Sequence, residues 1–345
     1  MIDVYALLRP CLFSVGAEQA HNFTLENLDR AERLGLLRHV ISTIPPNPQR
    51  FCGLTFPNPV GLAAGLDKDG RHIDALARLG FGFLEIGTVT PRPQPGNPQP
   101  RMFRIPAAQA LINRMGFNND GVVACVERVR QSQFWQSGGV IGLNIGKNAT
   151  TPIEDAAADY IEAMTAVYAV ASYITINISS PNTAHLRSLQ TEAPLRALLS
   201  RLCETRERLA DQFGLKKPLF LKIAPDLTTS DVTFIANLLL EYGIDAVIAG
   251  NTTTLREGVQ GHEHAEEMGG LSGAPLQQLS NQLIARLHAQ LQNQIPIIGV
   301  GGILSGKDAQ AKIAAGAQLI QLYTGLIYRG PSLISACAKA LAHRR

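Results

Sequence analysis

Hydroxyl and carboxamide side chains follow an apolar run near the middle of this chain. The run "YITI" ends at Ile176, and the next residues, "NISSPNT", place Asn177, Ser180 and Asn182 close together. Carboxamides donate and accept hydrogen bonds without carrying charge, and a positioned hydroxyl can take part in proton transfer. Pro181 restricts Ser180 to extended backbone angles, which helps to orient its hydroxyl. The pattern places hydrogen-bonding side chains together at the end of a predicted strand, although a serine at a strand end also serves to cap a turn.

Two lysines, Lys68 and Lys222, also follow apolar runs. A buried ammonium group needs an anionic partner. Asp67 and Asp226 are close by in the sequence and are candidates for simple ion pairs. The alternative is that both lysines face an anionic substrate or cofactor. Further polar residues that follow apolar runs are Thr88, Asn144, Asn251 and Thr252.

Glycine-rich segments end the last two apolar runs, with "GVGGI" at 299–303 and "YTG" at 323–325. Glycine lets backbone N–H groups approach an anion, and helix N-termini add a favourable dipole. A third segment, "GGLSG" at 269–273, could supply more amide groups. Together the segments predict a phosphorylated ligand or cofactor.

Eight short apolar runs alternate with helical patterns such as 152–170, 193–211 and 228–242. Runs with little alternation are typical of parallel strands that are buried on both faces. The order predicts a (β/α)8 barrel of the α/β class, whose active site lies at the carboxyl ends of the strands. A doubly wound sheet is less consistent with the chain, because "GLAAGLDKDG" lacks a GxGxxG fingerprint. The runs are "PVGLAAG", "FLEIGTV", "VIGLNIG", "YITINIS", "LFLKIA", "DAVIAGN", "IPIIGVGG" and "LIQLYTG".

Residues 1–45 differ from the rest of the chain. "YALLRPCLF" and "TLENLDRAERLGLLRHVI" each predict a short amphipathic helix, and "STIPPNPQR" would break any helix. We therefore expect a two-helix extension over 1–45 and a barrel domain over 46–345. The extension could cap the barrel, form a dimer contact or rest on a membrane. The apolar face of the second helix would carry Leu28, Ala31, Leu34, Leu37 and Ile41.

Composition excludes several classes of protein. A net charge of +3 without a basic patch argues against a nucleic-acid partner. The five cysteines show no metal or redox spacing, and "GHEHAEE" at 261–267 lacks the HExxH spacing, so we expect no metal site. We also expect no signal peptide, and no apolar stretch reaches the roughly 20 residues that span a bilayer.

Ordered motifs along almost the whole chain resemble those of dihydroorotate dehydrogenases. The resemblance to the quinone-dependent class 2 enzymes includes the serine of "NISSPN" and the helical extension. Class 1 relatives carry a cysteine as base, and no cysteine lies between Cys125 and Cys203 here. The other matching motifs are "AAGLDKDG", "GTVTPRPQPGNPQPR", "NRMGFNNDG", "NIGKN", "LKIAPD", "NTT", "GGLSG", "GVGGI" and "YTG".

The resemblance implies a barrel that binds FMN and oxidises (S)-dihydroorotate to orotate in de novo pyrimidine (UMP) synthesis. Ser180 would be the base, and a hydride would pass to N5 of the flavin. The implied flavin contacts are Ala63, Ala64, Gly65, Lys68, Thr88, Asn144, Asn177, Lys222, Gly273, Gly302, Tyr323 and Thr324. The implied substrate contacts are Lys68, Asn113, Arg114, Met115, Gly116, Phe117, Asn177, Asn182, Asn251 and Thr252.

The resemblance also implies that electrons leave to a membrane quinone, either ubiquinone or menaquinone. His21 and Arg104 would lie near the quinone head group, with Tyr323 between it and the flavin. The implied protein is a monomer, held peripherally on the cytoplasmic side of the cell membrane by the N-terminal helices. Lys222 would stabilise negative charge on the flavin, and Lys68 would pair with the substrate carboxylate.

Two segments depart from the family pattern. Gly250 stands where relatives often carry a hydroxyl residue, and Ala184-His185 replaces a usual Pro-Gly pair. Two other functions compete with the first: an FMN barrel that reduces a pyrimidine with NAD(P)H, and a barrel that only binds a phosphorylated ligand. The chain has no Rossmann fingerprint and no iron–sulfur cysteine cluster to bring in electrons from NAD(P)H.

Overall fold

The N-terminal segment forms two helices, in a computed structural model that describes residues 4–37 and 44–342. Helix α1 is Val4–Phe13 and α2 is Ala17–Arg33. The prediction that the second helix continues through Leu34 is wrong: Leu34 is 72% exposed, and Gly35 ends the helix with φ +67°, a conformation that favours glycine. Ile41 lies outside the described residues.

Eight parallel strands form a closed barrel, which confirms the predicted (β/α)8 fold. Around the barrel the order is β3-β4-β7-β8-β9-β10-β12-β13, with β13 pairing back onto β3. The eight strands coincide with the eight predicted runs. In chain order the strands of the protein are β1 (Gln49–Phe51), β2 (Leu54–Phe56), β3 (Val60–Leu62), β4 (Phe83–Val89), β5 (Met102–Ile105), β6 (Ala110–Asn113), β7 (Ile141–Ile145), β8 (Tyr173–Asn177), β9 (Leu219–Ile223), β10 (Ala246–Ala249), β11 (Gly270–Gly273), β12 (Ile297–Val300) and β13 (Leu319–Leu322).

Helices surround the barrel and account for the helical patterns in the sequence. The pattern at 152–170 becomes helix α6 (Ala156–Val167), the one at 193–211 becomes α7 (Glu192–Phe213), and the one at 228–242 becomes α8 (Thr229–Glu241). Thr228 and Asp231 cap the last of these reciprocally, which is why it begins sharply. The helices after α2 are α3 (Ile73–Arg78), α4 (Val122–Gln131), α5 (Gln133–Gln136), α6 (Ala156–Val167), α7 (Glu192–Phe213), α8 (Thr229–Glu241), α9 (Gln277–Leu291), α10 (Gly306–Ala314), α11 (Thr324–Arg329) and α12 (Ser332–Ala342).

Aromatic rings fill the amino end of the barrel. The rings of Tyr173 and Phe220 stack with their centroids 4.3 Å apart. Phe51 and Phe56, from the antiparallel hairpin β1-β2, pack edge-on against this layer. A Cβ at Gly142 would lie 2.1 Å from the Tyr173 ring, so only glycine leaves room for it. With this end filled by side chains, the open end is the carboxyl end of the strands.

A small antiparallel sheet, which the sequence patterns did not indicate, lies beside the barrel mouth. Its central strand β6 pairs with β5 and with β11. The pairing brings Gly270 opposite Asn113, although the two residues are far apart in the chain. Helix α2 packs against β5. The sheet therefore stands between the N-terminal helices and the open end of the barrel.

The N-terminal helices are joined to the barrel by polar contacts as well as by packing. Asp29 on α2 is 2.6 Å from Nδ1 of His72, and Glu32 accepts a hydrogen bond of 2.9 Å from Arg78. Arg104 on β5 donates to the carbonyl of Leu12 at 2.9 Å. These contacts fix how the extension lies on the barrel, and the division into two domains at residue 45 stays a prediction.

Candidate functional site

A single cavity at the carboxyl ends of the strands collects most of the predicted site residues. Ser180, Lys68 and Lys222 all line it, although they follow three different strands. The predicted residues that line this cavity, called the mouth cavity below, are Ala63, Ala64, Gly65, Lys68, Thr88, Asn113, Met115, Gly116, Phe117, Asn177, Ser180, Asn182, Lys222, Asn251, Thr252, Gly273, Gly302, Tyr323 and Thr324.

Two of the predicted flavin and substrate contacts lie outside this lining. Asn144 is buried behind it, where its Oδ1 accepts a hydrogen bond from Thr88 Oγ1 at 2.5 Å. The guanidinium of Arg114 turns away to Glu267, at 2.6 Å, and lies over the ring of Phe103. The Arg114 side chain therefore points away from the mouth cavity, whereas Asn144 supports Thr88, which lines it.

The carboxamides and hydroxyls around Ser180 are linked to one another. Asn177 donates from Nδ2 to Thr88 Oγ1 at 2.8 Å, and its Oδ1 accepts from the Ser179 hydroxyl at 2.8 Å. Ser179 Oγ also accepts from Asn251 Nδ2 at 2.8 Å. These bonds lock the side-chain rotamers, so the remaining donors and acceptors face the cavity in a fixed arrangement.

Ser180 occupies the rim of the same cavity and is buried. Its Oγ accepts a hydrogen bond of 3.2 Å from the backbone N–H of Asn182. Asn182 in turn donates from Nδ2 to Asn113 Oδ1 at 3.3 Å, which joins the loop after β8 to β6. Thr183 Oγ1 is buried and has no hydrogen-bond partner among the described residues. A buried, unpaired hydroxyl is costly unless another group completes it.

The Lys68 ammonium has no hydrogen-bond or ion-pair partner among residues 4–37 and 44–342, so the candidate pair with Asp67 does not form. The Asp67 carboxylate instead accepts backbone N–H groups of residues 71 and 72. Burial, and then the nearby Arg101 cation, lower the pKa of Lys68 to about 8. An unpartnered cation in a cavity is suited to bind an anionic ligand.

Two glycines of the mouth cavity, Gly273 and Gly302, pack tightly against neighbouring chain segments. Gly273 has φ +100°, and a Cβ there would lie 2.2 Å from the carbonyl oxygen of Gln109. A Cβ at Gly302 would lie 2.3 Å from the Cα of Gln277. Thr324 donates to Ser272 Oγ at 2.8 Å next to them. Both glycines line the mouth cavity, where a backbone N–H without a side chain beside it can approach a phosphate.

Two buried acceptor oxygens in the mouth cavity lack partners within the described part of the chain. They are Thr252 Oγ1 and Gln321 Oε1. Together with the Lys222 ammonium and the glycine-lined wall, they form a set of donors and acceptors that suits a flat, polar ring bearing a phosphate. The residues present therefore fit an FMN group.

A second, mainly apolar cavity of about 400 Å³, called the helix cavity below, lies between the N-terminal helices and the barrel. His21 and Arg104 line it, whereas Tyr323 lines the mouth cavity. Burial, and then the charge of Lys68, lower the pKa of His21 to about 4, so the imidazole is neutral at pH 7.

A short segment of the chain separates the two cavities. Gly65 lines the mouth cavity and the next residue, Leu66, lines the helix cavity, so this segment forms the wall between them.

Comparison with known proteins decides the family. The sequence model for the family described as dihydroorotate dehydrogenase matches residues 48–344. The chain is 68% identical over 341 residues, 99% of each chain, to a curated relative from Polynucleobacter asymbioticus, dihydroorotate dehydrogenase (quinone). The chain belongs to the dihydroorotate dehydrogenase family.

Other members of the dihydroorotate dehydrogenase family agree with this assignment. The relative from Burkholderia cenocepacia, also a dihydroorotate dehydrogenase (quinone), is 58% identical over 343 residues, 99% of each chain. Among solved structures, DHODH from Eimeria tenella in complex with ferulenol superimposes with a TM-score of 0.86 at 36% identity. The superposition covers 94% of this chain and 90% of that one. Family and fold therefore agree over most of the chain.

Glu85 is the residue that sequence reasoning missed in this dihydroorotate dehydrogenase barrel. It is fully buried in the middle of β4, and its carboxylate lies 3.7 Å from the Lys222 ammonium. It also accepts hydrogen bonds of 2.8 Å from Asn144 Nδ2 and from Gln321 Nε2. An acidic residue inside the buried run "FLEIGTV" was the available signal, because a buried carboxylate needs a partner.

The candidate pair between Lys222 and Asp226 is wrong. Asp226 pairs with Arg187 at 2.6 Å, and Arg187 also donates to the carbonyls of Ser179 and Thr252. Arg187 thus ties together the ends of β8, β9 and β10. It lies just after Ala184-His185, so the segment that departs from the family pattern is anchored at its far side.

Gly250, the other departure, lines the mouth cavity with backbone atoms only. A Cβ there would lie 3.3 Å from the backbone nitrogen of Pro225 and 3.4 Å from the Leu283 side chain. Neighbouring groups therefore already occupy the space beside this residue.

Proposed function

We propose that this chain oxidises (S)-dihydroorotate to orotate in pyrimidine biosynthesis, with FMN as the bound cofactor and a membrane quinone as electron acceptor. The observation that supports the proposal most is that Ser180, Lys68 and Lys222 line one cavity together with four asparagines and glycine-lined walls. The quinone-dependent relatives add support for the acceptor.

The cofactor would be held by two kinds of groups. Backbone amides at Gly273 and Gly302, beside the Thr324 hydroxyl, suit the phosphate, and Thr88, Asn177 and Lys222 suit the ring. When bound, FMN supplies the hydride acceptor at its N5 atom. The Lys222 ammonium places positive charge at the floor of the cavity, and Glu85 holds that ammonium in position.

The substrate would be recognised by charge and by carboxamides. Dihydroorotate carries a carboxylate, two ring carbonyls and two ring N–H groups. The unpartnered Lys68 ammonium suits the carboxylate, and Asn113, Asn177, Asn182 and Asn251 offer donors and acceptors for the ring edges. Because these asparagines are bonded to their neighbours, they would orient the ring before reaction, and orientation can lower a barrier by several kcal/mol.

Ser180 is the base in this proposal. The ring carbon loses a proton while its neighbour loses a hydride, and the proton is taken by Ser180 Oγ. A serine hydroxyl is weakly basic, so its own proton must pass onward as the new one arrives. Thr183, buried with an unpaired hydroxyl, is the residue we assign to that relay.

The quinone would enter through the helix cavity, near His21 and Arg104, with Tyr323 between it and the flavin. The Tyr323 hydroxyl donates to the Gly65 carbonyl at 3.4 Å, in the wall between the two cavities. Ubiquinone and menaquinone both fit this description, because each combines a polar head group with an apolar tail.

Attachment to the membrane surface is the role we propose for the extension. Six large apolar residues of this extension are exposed, and they would be buried by lipid: Leu7, Leu8, Val15, Phe23, Leu34 and Leu36. None of the helices in the described residues is both long and apolar enough to cross a bilayer. We propose a monomer that binds the cytoplasmic surface of the membrane peripherally.

One experiment separates this function from the two alternatives. The purified protein should be yellow, and dihydroorotate should bleach it in the absence of oxygen. Bleaching by NADH instead would favour a reductase that takes electrons from a nicotinamide. Yellow protein that neither compound bleaches would favour the third function, in which the barrel only binds a phosphorylated ligand.

A further inference from the structure

A buried arginine connects helix α2 to the carboxamides of the mouth cavity. Arg101 lies just before β5 and is 8% exposed. Its Nε and Nη2 donate to the Glu18 carboxylate on α2 at 3.0 and 2.7 Å. A guanidinium that pairs with a carboxylate through two nitrogens is held in a defined orientation.

The other side of the same guanidinium holds a turn. Arg101 Nη1 donates to the carbonyls of Pro95 and Asn97 at 2.7 and 2.9 Å. Gly96, between them, has φ +75°, and a Cβ there would lie 2.3 Å from the carbonyl oxygen of Met115. The turn is therefore pressed against the segment that carries the predicted substrate residues.

Asn97 carries the connection onward to the mouth cavity. Its side-chain nitrogen donates to the carbonyls of Arg114 and Asn182 at 2.9 and 3.2 Å, and its backbone N–H donates to Met115 at 3.0 Å. Asn182 is bonded to Asn113, as described above. The hydrogen bonds thus run without interruption from α2 to the carboxamides on two sides of the cavity.

We propose that Arg101 is a positioning residue for the substrate, which acts through Asn97 and depends on Glu18 of the N-terminal extension. The extension would then serve substrate binding as well as the quinone. This inference depends on the proposed function, since it assumes that Asn182 and Asn113 contact the substrate.

The test measures orotate binding by the change in flavin absorption of the purified holoenzyme. Glu18→Ala should weaken orotate binding about five- to ten-fold, and Glu18→Gln, which keeps an acceptor oxygen, should recover part of the loss. The matched control is Glu32→Ala, which breaks another ion pair between α2 and the barrel whose partner, Arg78, does not lead to the carboxamides. The control should bind orotate within about two-fold of wild type.

A kinetic measurement distinguishes positioning from general damage. In rapid anaerobic mixing, Glu18→Ala should raise the dihydroorotate concentration that half-saturates flavin reduction, while the limiting rate stays within about two-fold of wild type. No quinone is present, so a loss of quinone binding cannot produce this result. Equal effects of Glu18→Ala and Glu32→Ala would overturn the positioning role.

A double-mutant cycle tests the route through Asn97. In an Asn97→Ala background, Glu18→Ala should cause little further loss of orotate affinity, because the connection is already broken. Additive losses would overturn the route. Wild-type protein that binds no orotate and is not bleached by dihydroorotate would overturn the proposed function itself, and the positioning role with it.

Discussion

The two cavities of this protein are built on opposite principles. In the mouth cavity, polar side chains are bonded to one another, down to the fully buried Glu85. The helix cavity is lined mostly by apolar side chains, and its polar groups include the neutral imidazole of His21 and the guanidinium of Arg104. Hydrogen bonds impose distances and angles, whereas apolar contacts impose only shape. The difference suits one cavity to chemistry and the other to an apolar ligand that enters and leaves.

The two lysines of the mouth cavity also differ from each other, because one is paired within the protein and the other is not. Burial lowers the pKa of both, but Lys222 lies 3.7 Å from a buried carboxylate, whereas Lys68 forms no ion pair within the described residues. A paired cation is a fixed part of the protein. An unpaired one gains most from a ligand, which supports the assignment of Lys68 to the substrate carboxylate.

The largest expected effect concerns the chemistry of the mouth cavity. Ser180→Ala should retain the flavin yet slow its reduction by dihydroorotate about 10²–10⁴-fold, because the proton loses its acceptor. Rapid-mixing absorbance without oxygen measures this rate. Ser188→Ala, an exposed serine nearby, is the control. A wild-type rate in Ser180→Ala would remove this residue from the mechanism.

The second prediction tests the paired lysine. Glu85→Ala leaves the Lys222 ammonium buried without its carboxylate, and breaking a buried pair costs about 3–5 kcal/mol. Urea unfolding should show that loss in the free energy of unfolding. Glu32→Ala, at a partly exposed ion pair, should lose less than about 1 kcal/mol. Equal losses of unfolding free energy in Glu85→Ala and Glu32→Ala would mean that the buried pair adds little to stability.

The third prediction tests the unpaired lysine through pH. With a pKa of about 8, Lys68 is protonated below that pH and neutral above it. The dihydroorotate concentration that half-saturates flavin reduction should therefore stay constant below pH 8 and rise, at most about ten-fold per pH unit, above it. Lys68→Arg, which stays charged, should remove the rise. An unchanged profile in this variant would contradict the assignment.

The smallest effect is expected at the surface of the helix cavity. Phe23 is 60% exposed on α2. Phe23→Glu should weaken binding to lipid vesicles about ten-fold, because it replaces an apolar contact with a charge, and should leave flavin reduction by dihydroorotate unchanged. Vesicle sedimentation measures the first quantity. Phe213→Glu, an exposed apolar residue outside the extension, should bind vesicles like wild type.

Local patterns were enough to predict the barrel and the rim where its site lies. Runs that are apolar on both faces, alternating with amphipathic helices, can be buried together in few ways. Parallel strands bring their carboxyl ends to one rim, so Ser180, Lys68 and Lys222 could be expected to meet there. The boundaries of α2 were predicted less well, because Gly35 ends the helix although the apolar spacing continues.

Pairing across the fold was decided only by the tertiary structure. Glu85 meets Gln321 across 236 positions of sequence, Gly270 meets Asn113 in the small sheet, and Glu18 meets Arg101 from the extension. Periodicity records which face of a segment is buried, but it holds no information on which distant segment will cover that face. For the same reason the sequence indicated which residues reach the rim, and only the packed structure decided which of them are already paired and which remain free for a ligand.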